Sequence, residues 1–420
     1  MITKNTKSPD YNSRGGFLKN RYVKVIAVLL SVLIFASCTA RGVKVNSDNS
    51  VTLSGSEYEE YIKNKEKIDK LNYLTEKIKE DFLFDIDEEQ LDVGIYKGLF
   101  SALDDPYSTY YTKNEFDKLL EDSSGVFGGI GVVVSAMDGE FITVVAPIEG
   151  TPGERAGILP GDKIIMVDGE TYLAIDMDKA VDHMRGEPGT DVVLTIRREN
   201  KDGSVEDHEV TITREIIKIE TVKHEALDDG LSYIGLASFD ENTYSDFKNA
   251  LNEVKSNGSR GIVLDLRNNP GGLLDSVVNI SDMLLPKGVI VSTIDKSGKK
   301  VEEKSDASME DIPMVVLVNQ GSASASEILA GALKDYDRAE VIGTQTFGKG
   351  IVQRIYPIND GGYKLTVSEY YTPNGTQIHG VGVEPDIEVD QPEVNTPMGP
   401  ENIDEDVQLQ KAIEVLKNKL

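Results

Sequence analysis

The chain has 420 residues, more than one small domain holds at about 100 to 200 residues each, so two or three domains are expected. Acidic residues outnumber basic ones 72 to 44 and the formal charge is −28, which excludes a nucleic-acid surface or an anionic membrane surface for the main body. One cysteine, Cys38, excludes an internal disulfide and a cysteine metal cluster, and four scattered histidines (His183, His208, His224, His379) offer no zinc pattern, so neither metal nor cofactor is expected.

Lys4, Lys7, Arg14, Lys19, Arg21 and Lys24 precede the apolar run "VIAVLLSVLIFA", Val25 to Ala36, which is followed by Ser37 and Cys38. A dozen apolar residues suits a signal-peptide core, whereas a bilayer-spanning helix needs about 20. "FASC" resembles a bacterial lipobox, with Phe35 unusual at its first position, and makes Cys38 a lipidation candidate; the alternative is an uncleaved anchor helix from about Tyr22 to Ala40. Either way residues 1–40 are a targeting segment, and the body is expected outside the cytoplasm in a bacterial cell envelope, tethered to the membrane by its N-terminus. Residues 41–55 are polar and short-sided and read as a linker.

Ile68, Leu71, Leu74, Ile78 and Phe82 recur every three or four residues, as do Leu91, Ile95, Leu99 and Leu103, which predicts amphipathic helices within a region spanning 56–122. "ALDDPYSTYYT" breaks that pattern, and Asn114 is the expected cap of a short helix at "EFDKLLE". From Gly125 the period changes to two: "GGIGVVVS", "EFITVVAP", "DKIIMVDGE" and "TDVVLTIRRE" read as short strands between Gly, Pro and Asp turns, with one helix near "IDMDKAVDHMRG", in a compact unit spanning 123–215.

Beyond it, buried strands lead into helices. "YIGLASF" precedes "TYSDFKNALNEVKS", "GIVLDLR" leads through "NNPGG" into "LLDSVVNISDMLL", and "MVVLVN" leads through "QGSASAS" into "EILAGALKD". This is the pattern of an α/β core with a largely parallel sheet, spanning 216–390. "DKSGKKVEEKSDASMED" reads as an exposed hairpin or loop, and residues 391–420 as an acidic linker and a final helix whose stripe of Leu409, Ala412, Ile413, Leu416 and Leu420 is expected to pack.

In such sheets chemistry gathers where strands end and helices begin, so "NNPGG" and "QGSASAS" are the candidate loops. Ser324 and Glu327 fit a capping box, and a serine at a helix start is equally well placed as a nucleophile; spacing leaves both readings open. A nucleophilic serine needs a base. Lys349 in "TFGKGIVQ" can serve if burial lowers its pKa, and Gln353, four residues on, can orient it; a surface lysine in a glycine turn is the plain alternative.

Four segments in this order, "GLFSALDDPYSTYY", "LDLRNNPGG", "GSASASEILAGALKD" and "GTQTFGKGIVQ", placed around a PDZ-like unit, resemble the C-terminal processing peptidases, or tail-specific serine proteases. The resemblance covers nearly all of the chain beyond the linker. It implies a multidomain chain of the α+β and α/β classes: an N-terminal helical region, a PDZ-like β domain and an α/β protease core of crotonase-like architecture. It implies Ser324 as nucleophile, Lys349 as general base, Gln353 as its positioning partner, and an oxyanion hole from the Ala325 amide with that of Gly271 or Gly272. In the PDZ-like unit it implies that the amides of Gly128, Gly129 and Ile130 hold a peptide's C-terminal carboxylate, with Arg185 a candidate sensor of the bound peptide or simply a solvated arginine. Partners implied are protein or peptide substrates with accessible C-termini; a homo-oligomer stays open. The rival expectations are a non-catalytic PDZ scaffold, a crotonase-like acyl-CoA enzyme, and a protease that uses His379 as base.

Overall fold

The computed structural model describes residues 54–136, 139–200, 203–392 and 398–420, with the backbone of 2–3, 44–45 and 51–52. The targeting segment and Cys38 lie outside the described residues. Among those residues no helix is long and apolar enough to cross a membrane. Two compact units divide the chain, residues 6–99 and residues 100–420 with 1–5.

In the first unit, helix α1 (Gly55–Asp81) starts with a capping box between Ser54 and Glu57, and α2 follows over Glu88–Ser101. Neither has a buried residue: Ile68, Leu71, Leu74 and Ile78 are all exposed. The amphipathic period is there, and among the described residues nothing covers it.

In the second unit, strand β1 (Thr109–Thr112) runs into helix α3 (Lys113–Ser124). The cap of α3 is Thr112, in a capping box with Glu115, and not Asn114; the chain shows the Thr-x-x-Glu signature two residues earlier than the expected cap. Gly125 closes the helix at φ 70°. Strands β2 (Val126–Gly129), β3 (Val132–Ser135), β4 (Ile142–Pro147) and β5 (Lys163–Val167), helix α4 (Met177–Met184), and strands β6 (Asp191–Glu199), β7 (Val205–Thr213) and β8 (Glu215–Lys218) follow. The sheet order is β7-β6-β5-β4-β3, with β3 at the edge, and β2 pairs apart with β8. Its core is Ile142 and Val144 of β4 and Val192, Leu194 and Ile196 of β6, alternate residues of their strands, with Ile164 and Val167 of β5, against Ala180 and Met184 of α4.

The α/β core contains β9 (Val222–Leu227), β10 (Leu231–Leu236), α5 (Thr243–Ser256), β11 (Gly261–Asp265), α6 (Leu274–Leu284), β12 (Gly288–Asp295), β13 (Lys300–Ser305), β14 (Met314–Val318), α7 (Ala325–Asp335), β15 (Glu340–Gly343), β16 (Ile351–Ile358), β17 (Gly361–Tyr371), β18 (Ile387–Glu388) and α8 (Val407–Asn418). Its main sheet is ordered β9-β10-β11-β14-β15-β18, parallel at every step but the first. All five residues of β11 and of β14 are buried, because helices cover both faces. Ile262, Leu264, Val316 and Val318 meet α5, α6 and α7, whereas Val263, Val315 and Leu317 meet Leu409, Ala412 and Leu416 of α8. The C-terminal stripe therefore packs, except Leu420, which is exposed. The charged segment after β12 is a hairpin: β12 and β13 pair antiparallel and join a second sheet with β16, β17 and β1.

Candidate active site

β11 and β14 are parallel neighbours, so the loops at their C-terminal ends lie side by side. Serines stitch them together. Ser322 Oγ donates to the Leu266 carbonyl at 2.7 Å, Ser326 Oγ donates to the Asn269 carbonyl at 2.9 Å, and the Ala323 amide donates to that same carbonyl at 3.0 Å. Two of the three serines are thus structural. The third, Ser324, is 1 % exposed and its Oγ has no hydrogen-bond partner among the described residues.

Ser324 adopts φ 57°, ψ −112°, which side chains rarely occupy and which costs on the order of 1–3 kcal/mol. As the N-cap of α7 it uses only its backbone: its N–H donates to Glu327 Oε2 at 2.8 Å, and the Glu327 N–H goes to the Ser324 carbonyl at 2.9 Å. The hydroxyl that a full capping box would engage stays free, so capping and nucleophilicity do not compete here.

The Ala325 amide is the first of α7 and has no acceptor within the helix. Gly271 lies against it: a Cβ on Gly271 would stand 2.8 Å from the Ala323 carbonyl oxygen, 2.8 Å from Ser324 Cβ and 2.9 Å from Ala325 N. Only glycine fits. Its own amide, however, donates to Asn269 Oδ1 at 2.9 Å, and its carbonyl accepts from Phe239 N at 3.0 Å. The bridge between Phe239 and Gly272 uses the Gly271 carbonyl and the Leu273 amide, which leaves the Gly272 amide outside it. Of the two glycines offered as the donor beside Ala325, Gly271 has its amide engaged, and the Gly272 amide has no partner among the described residues.

Lys349 precedes β16 between two glycines that a loop of residues 378–382 requires: a Cβ on Gly350 would stand 2.2 Å from His379 N, and Gly348 has φ 89°. The Lys349 side chain is half-buried, with Nζ 4.2 Å from the ring centroid of Tyr107. Burial, more than anything else, pushes its ammonium below the ordinary lysine range; Lys364 acts in the same sense, while Asp105 and Glu327 oppose it. No hydrogen bond joins Nζ to Ser324 Oγ. Gln353, 1 % exposed on β16, donates from Nε2 to Thr366 Oγ1 at 3.4 Å. The Thr366 amide in turn donates to Ser108 Oγ, which donates to Asp105 Oδ2 at 2.5 Å.

The "DDPYS" segment, which in the sequence interrupts a helix pattern and carries part of the family resemblance without any assigned role, therefore faces the lysine. It also lines a cleft of about 710 Å³ with Ile351, Thr366 and His379. His379 itself is exposed.

In the PDZ-like unit Gly128 and Gly129 sit within β2, opposite Ile216 and Glu215 of β8, and only Ile130 and Gly131 form the turn into β3. Among the described residues, the edge of β3 away from β4 has no strand beside it. Arg185, just after α4, stacks its guanidinium 4.4 Å from the Phe127 ring centroid and donates from Nη1 to Asp122 Oδ1 at 3.2 Å, while its Nε is buried without a partner among the described residues.

Three family models match the chain: peptidase family S41 over residues 230–389, a PDZ domain over 143–198, and the activating protease CtpB N-terminal domain over 33–115. The chain is 41% identical over 330 residues to the carboxy-terminal-processing protease of Bartonella bacilliformis, covering 76% of this chain and 74% of that one. It is 36% identical over 376 residues to the carboxy-terminal processing protease CtpA of Bacillus subtilis, covering 89% and 78%. A solved S41 protease structure from Bacteroides fragilis matches with a TM-score of 0.50 at 18% identity, over 77% of this chain and 90% of that one, a likeness of fold alone.

Proposed function

The chain belongs to peptidase family S41, the C-terminal processing serine proteases, and from that premise we propose that it cleaves exported polypeptides with a Ser324–Lys349 dyad assisted by Gln353. The observation that carries this reading is a buried, unpartnered hydroxyl on a strained backbone, beside a lysine whose charge burial disfavours. Neutral Lys349 leaves Tyr107, takes the proton from Ser324 Oγ, and Oγ attacks the scissile carbonyl. The oxyanion accepts from the Ala325 and Gly272 amides. The new ammonium gives its proton to the leaving amine, and water then hydrolyses the acyl-enzyme. An apo lysine that has not yet reached the serine does not weigh against this, since catalytic hydrogen bonds often tighten only with substrate bound.

The PDZ domain supplies the tail recognition in this proposal. A substrate C-terminus adds to the open edge of β3, its carboxylate meets the Ile130 amide at the turn from β2 into β3 rather than the strand-paired Gly129 amide, and Arg185 reads its arrival. A polypeptide with a free apolar C-terminus is expected to be cleaved, more slowly once that terminus is a carboxamide, and not at all by Ser324→Ala at unchanged fold. Cleavage surviving in Ser324→Ala overturns the nucleophile, and equal rates with and without the carboxylate overturn tail recognition. Export and tethering through residues 1–40 belong to the same proposal. Cys38→Ala is expected to free the protein from the membrane fraction; retention would point to the anchor helix instead.

A further inference from the structure

Glu327, the third residue of α7, is fully buried, and its carboxylate forms no ion pair among the described residues. A capping box needs it to accept one hydrogen bond; it accepts four. Oε2 takes the amides of Ser324 and Lys349, each at 2.8 Å, and Oε1 takes the Thr346 hydroxyl at 2.6 Å and the Gly348 amide at 2.7 Å. Three of these donors come from the lysine loop, 19 to 22 residues along the chain. A buried carboxylate is costly to desolvate, and four short donors are what offsets that cost without a cation. Tyr370 repeats the bridge on the other side: its hydroxyl lies 2.9 Å from the Ser324 carbonyl oxygen and 2.7 Å from that of Lys349.

We propose that Glu327 is the positioning residue of the reaction, one buried carboxylate that holds the backbone of the nucleophile and the backbone of the base on a common oxygen atom. The proposal rests on the reading of Ser324 and Lys349 as the dyad. With both amides tied to Oε2, the two residues cannot drift apart without breaking a charge-assisted hydrogen bond, and the strained Ser324 conformation keeps its place. The negative charge has a second consequence, because it favours the ammonium of Lys349 and so opposes the desolvation that weakens it as a base. The charged or titratable groups facing Lys349 are Lys364 of β17, Asp105 and Tyr107 of the segment before β1, and Glu327; those facing Glu327 are Lys349 and Tyr370.

Glu327→Gln keeps an acceptor for Thr346 and Gly348 but turns an NH2 group toward the amides of Ser324 and Lys349, and it removes the charge. In the full chain it is expected to lower kcat by about 10² with KM nearly unchanged, as a misplacement of about 1 Å does. The acid inflection of the pH–rate profile is expected to move to lower pH, because the lysine loses a neighbouring anion. Unchanged kcat overturns the proposal, and so does a lower kcat with an unmoved inflection, which is what a merely structural glutamate gives. If Glu327→Gln does not fold, Thr346→Val decides: it removes one donor and keeps the charge, so kcat falls severalfold at an unmoved inflection, and wild-type kcat overturns the proposal. Lys349→Ala runs alongside. Activity surviving there overturns the dyad and the clamp with it, whereas an inactive Lys349→Ala beside a fully active Glu327→Gln overturns the clamp alone.

Discussion

Lys349→Ala is expected to reduce kcat/KM for an unfolded polypeptide by about 10⁴ or more without loss of fold, the scale on which removal of a general base disarms a serine nucleophile. The fold is expected to hold because the change takes a costly buried charge away. With Lys349 as the proposed base, the rate of the unsubstituted enzyme is expected to rise with pH, since only the neutral amine would accept the Ser324 proton. Burial and Lys364 lower the point at which the ammonium loses its proton, so the inflection falls below the ordinary lysine value, while Asp105, Glu327 and the face of Tyr107 limit the displacement. His379→Ala is the control. Its ring is exposed in the cleft that Asp105, Tyr107 and Ile351 line, and its removal is expected to leave the inflection in place. An inflection that disappears with His379→Ala, together with persisting activity in Lys349→Ala, would assign the base to the histidine.

The sheet and its two loops were legible because their signals are local. Strands such as "MVVLVN" are apolar throughout since both faces are covered, and the loop residues that follow them are small because helices begin there. Half of the Ser324–Glu327 box could be read from spacing, since a cap acts over three residues. What the glutamate does beyond the cap could not, because its other donors arrive from a separate loop. The same limit applies to Ser322 and Ser326. They look like equivalents of Ser324 in "GSASASE", and only their acceptors, 56 and 57 residues away, make them structural. Tyr107 gave no signal of its own: a tyrosine after Asp-Pro reads as a turn, and the lysine it meets lies on a different strand connection. In α1 periodicity predicted a helix correctly yet not burial, because an apolar stripe states that a face can be covered and not what covers it.

Arg267, which ends "VLDLR" just before "NNPGG", had no role in the sequence, and it supports the largest stability effect expected of a single substitution. Its guanidinium is almost wholly buried between Asp265 and Asp406, donating to Asp406 Oδ1 at 2.8 Å and Oδ2 at 2.7 Å, to Asp265 Oδ2 at 2.6 Å and to Gln408 Oε1 at 3.1 Å. Burial alone would favour losing the proton, and the two carboxylates more than reverse that. Asp406 does further work: as the N-cap of α8 it accepts from the Leu409 amide at 2.9 Å, and it accepts from the Gly399 amide at 2.9 Å. Asp406→Ala therefore strips one of two counter-ions from a buried cation and uncaps the helix that covers one face of the sheet. A loss of about 3–5 kcal/mol is expected from the broken pair, with about 1 kcal/mol more from the cap. Urea unfolding measures it, and a destabilisation below about 1 kcal/mol would show that Asp265 alone suffices. Asp406→Asn keeps an acceptor for the cap while removing the charge, so its own loss reports the ion pair and the difference between the two variants isolates the cap. Because Arg267 lies two residues before Asn269, whose side chain and carbonyl fix the Gly271 and Ser326 positions, cleavage is expected to fall in both variants even where the chain remains folded. The C-terminal helix would then act on the catalytic loop through one guanidinium, a coupling that full activity in a destabilised Asp406→Asn protein would rule out.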